Sequence, residues 1–75
     1  MKDTNKIRYS VSYNKLWKLM IDRGIKNGQL CDGIGVSKGM MAKIGRNENV
    51  ALTVLLSICE YLQCDFGDII EAVPR

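Results

Sequence analysis

The sequence predicts a small all-α domain built round two short helices and a tight turn, closed by a pair of strands from its two ends. Three observations carry this. Leu30 and Ile34 are four apart and Met41 and Ile44 three apart, so each pair shares one helix face, with Gly35 and Ser37 between them. Stripes at helical spacing lie on either side, at Tyr13, Leu16, Trp17, Met20 and Ile21 and at Leu55, Ile58, Cys59 and Leu62. Residues 7–11 and 70–73 are rich in β-formers.

Each element follows from local chemistry. Ile7, Tyr9 and Val11 alternate with Arg8 and Ser10, the pattern of a half-buried strand. Ser12 is placed to cap the first helix, whose apolar stripe faces the core while Lys15, Lys18 and Asp22 face water. Trp17 is the largest block of apolar surface and is expected to be buried. Gly24 ends this helix in the left-handed conformation. Asn27 opens the second helix, held by Leu30, Cys31 and Ile34. Gly28 and Gly33 lie inside it, each costing about 1 kcal/mol relative to alanine. Tertiary packing offsets that cost, or Gly28 lets a phosphate approach the backbone, and the residues alone leave both open. Gly35 then turns the chain, Ser37 caps a third helix over residues 38–45, and Val36 and Met41 stand at the positions of a hydrophobic staple. The inward face of this helix is Met41 and Ile44, with Met40 at its border. A polar turn follows at Arg46, Asn47, Glu48 and Asn49. The fourth helix covers residues 51–62, with Leu52 and Leu56 widening its stripe and Ala51 a poor cap. Asp65 caps a last short helical turn through Phe66 and Asp68. Residues 70–73 form the second strand, stopped by Pro74 and paired with the first, and an unpaired edge of that sheet offers a place for a strand from a second subunit.

Composition narrows the function. Seventy-five residues, 47% hydrophobic and 25% charged, suit one ordered domain over residues 1–75 with a marginal core. No apolar run approaches the roughly 18 residues of a membrane span, and the first six residues lead into no secretory segment, so the expected location is the cytoplasm. Cys31, Cys59 and Cys64 are odd in number, form no C-x-x-C pair and have no histidine beside them. A disulfide framework, a metal site and nucleophilic catalysis therefore lack their residues, and no enzyme activity or cofactor is expected.

The central offsets fit a plain helical hairpin, or a helix-turn-helix whose second helix enters a DNA major groove. Ten basic and three acidic residues up to Arg46 leave +7 there, while one basic and five acidic residues from Asn47 onward leave −4. The positive part holds the third helix, which suits a polyanion, although lysines also simply solvate helix faces. On the helix-turn-helix reading, Lys38, Gly39 and Met40 reach base edges, and Lys43, a turn later, reaches a base or a phosphate. Lysine donates to guanine O6 and N7, and methionine packs on a thymine methyl. Gly39 brings no side chain to such a contact. Asn27 stands where free N–H groups attract phosphate, and Ser37, Arg46 and Asn47 complete the expected backbone contacts.

Four blocks stand in order along the chain: Ser12-Tyr13-Asn14-Lys15-Leu16-Trp17-Lys18-Leu19, Met41-Ala42-Lys43-Ile44-Gly45-Arg46-Asn47-Glu48-Asn49-Val50, Val54-Leu55-Leu56-Ser57-Ile58-Cys59-Glu60 and Cys64-Asp65-Phe66-Gly67-Asp68-Ile69-Ile70-Glu71. Together they resemble the Cro/phage-repressor-type, or XRE-type, helix-turn-helix regulators in a compact single-domain form. The resemblance implies a five-helix, lambda-repressor-like fold with its helix-turn-helix at about residues 27–45. It also implies a DNA reader starting near Lys38, phosphate contacts at Asn27, Arg46 and Asn47, and, in many members, dimers on palindromic operators. Gly28, Gly33, Gly39 and Ala51 depart from the family's usual polar residues. The expectation is a sequence-specific regulator of transcription, a repressor, with double-stranded operator DNA as partner and a homodimer as a possible assembly. The rival is a protein-interaction module on the same fold, favoured by Gly39 and by an adaptable apolar Met40.

Overall fold

The computed structural model describes residues 7–75. In chain order the elements are β1 (Tyr9–Ser12), α1 (Asn14–Arg23), α2 (Asn27–Ile34), α3 (Lys38–Gly45), α4 (Leu52–Leu62), a 3-10 turn (Phe66–Asp68) and β2 (Glu71–Pro74). The two strands pair antiparallel, with Tyr9 opposite Pro74 and Ser12 opposite Glu71. Among the described residues the expected five helices are four. Where the fifth was expected, Asp65 accepts a bond from the Phe66 N–H at 2.7 Å and β2 already begins at Glu71, which leaves room for one tight turn.

All four helices end in the same way. A left-handed residue follows the last turn, and the next N–H reaches back to a carbonyl five residues earlier, the Schellman arrangement. Gly24 and Gly35 supply that conformation after α1 and α2, and Asn47 and Gln63 after α3 and α4. The closing bonds are Ile25 to Met20, Val36 to Cys31, Glu48 to Lys43 and Cys64 to Cys59, at 2.9, 3.2, 3.0 and 3.0 Å. Arg23 adds a cation at the end of α4, donating from its guanidinium to the Leu62 carbonyl.

The core draws Tyr13, Leu16 and Met20 from α1, Leu30 from α2, Ile44 from α3, and Leu55, Ile58 and Leu62 from α4, with Ile69 beneath the 3-10 turn. Several expected core residues lie outside it. Ile21 is 77% exposed, Trp17 is half-buried, and Leu52 and Leu56 are 61% and 51% exposed. At about 100° per residue, Ile21 stands a quarter-turn or more beyond the line of Leu16 and Met20. Leu52 and Leu56 share a face turned away from Leu55, Ile58 and Leu62. The buried stripes are narrower than the apolar ones.

Strand ends also shift. β1 starts at Tyr9 rather than Ile7, and β2 includes Pro74 instead of stopping before it. Ser12 does not serve as the N-cap of α1. Tyr13 holds that position, and the buried Ser12 hydroxyl accepts from the Asn14 N–H at 3.3 Å. Gly33 has a packing role: a Cβ there would lie 2.2 Å from the Tyr61 ring, so α2 and α4 meet across a position with no side chain.

Candidate nucleic-acid interface

Gly35 and Ser37 set the angle between α2 and α3. Gly35 takes φ +71, a conformation that strains any side chain, and so ends α2 abruptly. The Cys31 thiol bonds the Val36 carbonyl at 2.9 Å, tying the turn to the helix before it. Ser37 is extended, and its hydroxyl accepts from the Met40 N–H at 3.1 Å, the cap expected of it. From that cap α3 runs Lys38–Gly45, the span read from the sequence.

Ile44 is fully buried and Met41 half-buried, which fixes the rotation of α3. Lys38, Gly39, Ala42 and Lys43 all face solvent, while Met40 is half-buried on the flank nearer Ile44. The outward face is therefore two lysines around two small residues, with Met40 at its rim. No acidic residue lies on α3, and among the described residues neither lysine has an ion-pair partner.

The other expected contacts fall at the two ends of this face. Asn27 and Gly28 open α2, exposed, and no described group accepts from their N–H groups. Gln29 turns its side-chain oxygen back to the Lys26 N–H at 2.8 Å, satisfying the donor before them. A groove of about 490 Å³ joins Asn27, Gly28, Cys31 and Asp32 of α2 to Lys38 and Met41 of α3. Asn27 and Lys38 are thus brought to one opening, with Asp32 the single acid beside it.

Arg46 and Asn47 stand at the far end of α3, about 12 Å along the helix. Arg46 pairs with Glu48, but both side chains are about half exposed or more, so the pair is weak and the outer guanidinium nitrogens stay available. Asn47 has a structural task that local sequence did not reveal. Its φ of 57 closes α3, and its side-chain oxygen accepts from the Tyr13 N–H at 3.1 Å. The Tyr13 hydroxyl donates to the Glu48 carbonyl at 2.8 Å, so the start of α1 is bolted to the turn after α3. Burial raises the Tyr13 phenol above its ordinary pKa of 10.0. Asn47 therefore offers a phosphate only its amide nitrogen.

Two crossed helices joined by a glycine turn, with the second presenting a cationic face opposite its buried one, define a helix-turn-helix domain. None of the described helices is long and apolar enough to cross a membrane, and the described residues contain no cluster fit to hold a metal. The chain belongs to the family of Cro/C1-type helix-turn-helix DNA-binding domains, whose pattern matches residues 15–75. It is also similar to a crystal structure of the transcriptional regulator VanUg, with 61% identity over 100% of both chains and a TM-score of 0.93. No curated protein matches it.

Proposed function

We infer that this chain is a sequence-specific DNA-binding regulator of transcription that represses by occupying a double-stranded operator, as one half of a homodimer. The observation that carries the reading is the outward face of α3, where Lys38 and Lys43 stand exposed, with no acidic partner among the described residues, on a helix whose other side is locked by Ile44. Lys38, Gly39, Met40 and Lys43 face the base edges, Lys38 and Lys43 by donating and Met40 by apolar contact from the rim. Asn27, Ser37, Arg46 and Asn47 hold the phosphates on either side and set the depth of α3 in the groove. Gly28 and Gly39 carry no bulk at the second position of their helices, so a backbone phosphate or base approaches closely there. Similarity to a transcriptional regulator, 61% identical over the whole chain, supports the same reading.

The test begins with selection of bound sites from a random duplex pool. Against the enriched site, Lys43→Ala and Lys38→Ala at matched salt are each expected to weaken binding by about 1–3 kcal/mol if the lysine reads a base. Wild-type affinity in both variants would remove α3 from the interface. No binding to any duplex at low salt would leave the protein-interaction reading in its place.

A further inference from the structure

We propose that Cys59 and Cys64 are a redox-active pair, which closes into an intrachain disulfide when the surrounding small thiols are oxidised and so reinforces the end of α4. The pair stands where the chain leaves that helix. The Cys64 N–H donates to the Cys59 carbonyl at 3.0 Å, and the Gln63 N–H to the Glu60 carbonyl at 3.3 Å. These are the two bonds of the Schellman arrangement, whose first and sixth residues also bring their side chains into contact. Cysteines hold both places here. Adding bond lengths on either side of the 3.0 Å bond leaves the two Cα atoms at most about 7 Å apart, within reach of a bridge. The thiols turn toward one another, with the Cys64 S–H in hydrogen-bonding reach of the Cys59 sulfur. Both are free and half-buried against the core. Cys31 stands apart on α2, its thiol engaged by the Val36 carbonyl.

Exchange with a small disulfide, RSSR, closes the bridge. The Cys64 S–H favours the thiolate of Cys59, so Cys59 is the attacking sulfur. Its thiolate displaces one RS⁻ and forms a mixed disulfide. Cys64 then gives up its proton, attacks the Cys59 sulfur and displaces the second RS⁻. The pair is oxidised, the small disulfide takes up the two electrons, and the two cysteine protons end on the two RSH released. Burial holds both thiols above their ordinary pKa. That slows the attack, but it also denies the reduced pair the stabilisation a thiolate confers, and so favours the bridge at equilibrium.

The bridge spans a turn that is hard to hold. Gln63 takes φ 52, unfavourable for a residue with a side chain, and Leu62 is buried with its carbonyl bonded by Arg23. A covalent link removes from the unfolded chain freedom that it otherwise loses in making this turn. The coupling is reciprocal: the factor by which the fold favours the bridge is the factor by which the bridge favours the fold. Neither cysteine lies on α2, α3 or the turn between them, so the pair acts on stability and its failure leaves the DNA-binding reading untouched.

The test uses the full chain with Cys31→Ser, whose hydroxyl still donates to Val36, so that the pair alone remains. This chain is equilibrated against mixtures of oxidised and reduced glutathione, quenched in acid and alkylated, and the bridged fraction is read by mass. The same titration is run in denaturing urea. The effective concentration of the pair is expected to be at least about tenfold higher in the folded chain, and the urea midpoint higher after oxidation than before it. Cys59→Ala and Cys64→Ala, with helical content unchanged by circular dichroism, are each expected to give mixed disulfides only. A smaller ratio, mixed disulfides in place of the bridge, or a link between two chains would overturn the proposal. So would an oxidised chain no more stable than the reduced one.

Discussion

Gly33 matters because of what it lacks. A methyl group there would meet the Tyr61 ring at 2.2 Å, while Gly28, five residues earlier in the same helix, has open space. Gly33→Ala is expected to destabilise the wild type, because the ring must swing away. In a Tyr61→Ala background it should instead stabilise by about 1 kcal/mol, since only helix propensity is then at work. Denaturant unfolding of the four chains reads the difference, and equal effects in both backgrounds would dismiss the contact. Tyr13 carries a pH signature. Burial raises its phenol above 10.0, and likewise the Cys59 and Cys64 thiols above 9.0. Each is an acid that the fold keeps protonated, so its contribution is complete below its ordinary pKa and is lost as pH climbs through the raised one. Thermal stability is expected to fall from about pH 9 upward. Tyr13→Phe should lessen the fall above pH 10 while costing about 1 kcal/mol at neutral pH for the lost bond to Glu48. Ser37 and Gly35 were legible because a cap and a left-handed turn are local chemistry. Asn47 was not, because its partner Tyr13 lies 34 residues away.

Among the helices, α4 starts without a side-chain cap. Ala51 occupies an extended N-cap position and offers no side-chain acceptor. Ala51→Ser or Ala51→Asp is expected to raise stability by about 1 kcal/mol, measured by urea unfolding, and no gain would mean that the first N–H groups of α4 are already satisfied. The limits of α3 matched the sequence because both its start and its turn are set by neighbours within a few residues. The width of the buried stripes did not. Periodicity says that Leu52 and Leu56 share a face, but not how far the next helix reaches round it, and here it stops short of both. The strand limits slipped for a similar reason. Whether proline ends a strand depends on which way its nitrogen points, and only the pairing with Tyr9 decides that. On the candidate interface, the outward turn of Lys38 and Lys43 and the border position of Met40 were readable from the inward turn of Met41 and Ile44.

At the scale of the molecule, charge is divided along the chain, +7 up to Arg46 and −4 after it. Binding to duplex DNA is therefore expected to weaken steeply with salt, log affinity falling by about 0.9 per phosphate neutralised for each unit of log salt. A lysine on α3 that meets a phosphate should lower that slope by about one when changed to alanine. One that reads a base should leave the slope and flatten the sequence preference, and a flat salt profile for the wild type would contradict the electrostatic reading. The joining of Asn27 and Lys38 at one groove was beyond the sequence, since it depends on how two helices cross. The placement of Arg8 beside Arg75 has a mechanical consequence. A pull on those two residues bears on the same end of the ribbon, so its bonds break singly, like teeth of a zip, instead of resisting together in shear. Under a stretching force the ribbon should part first and at low load, with the helices following.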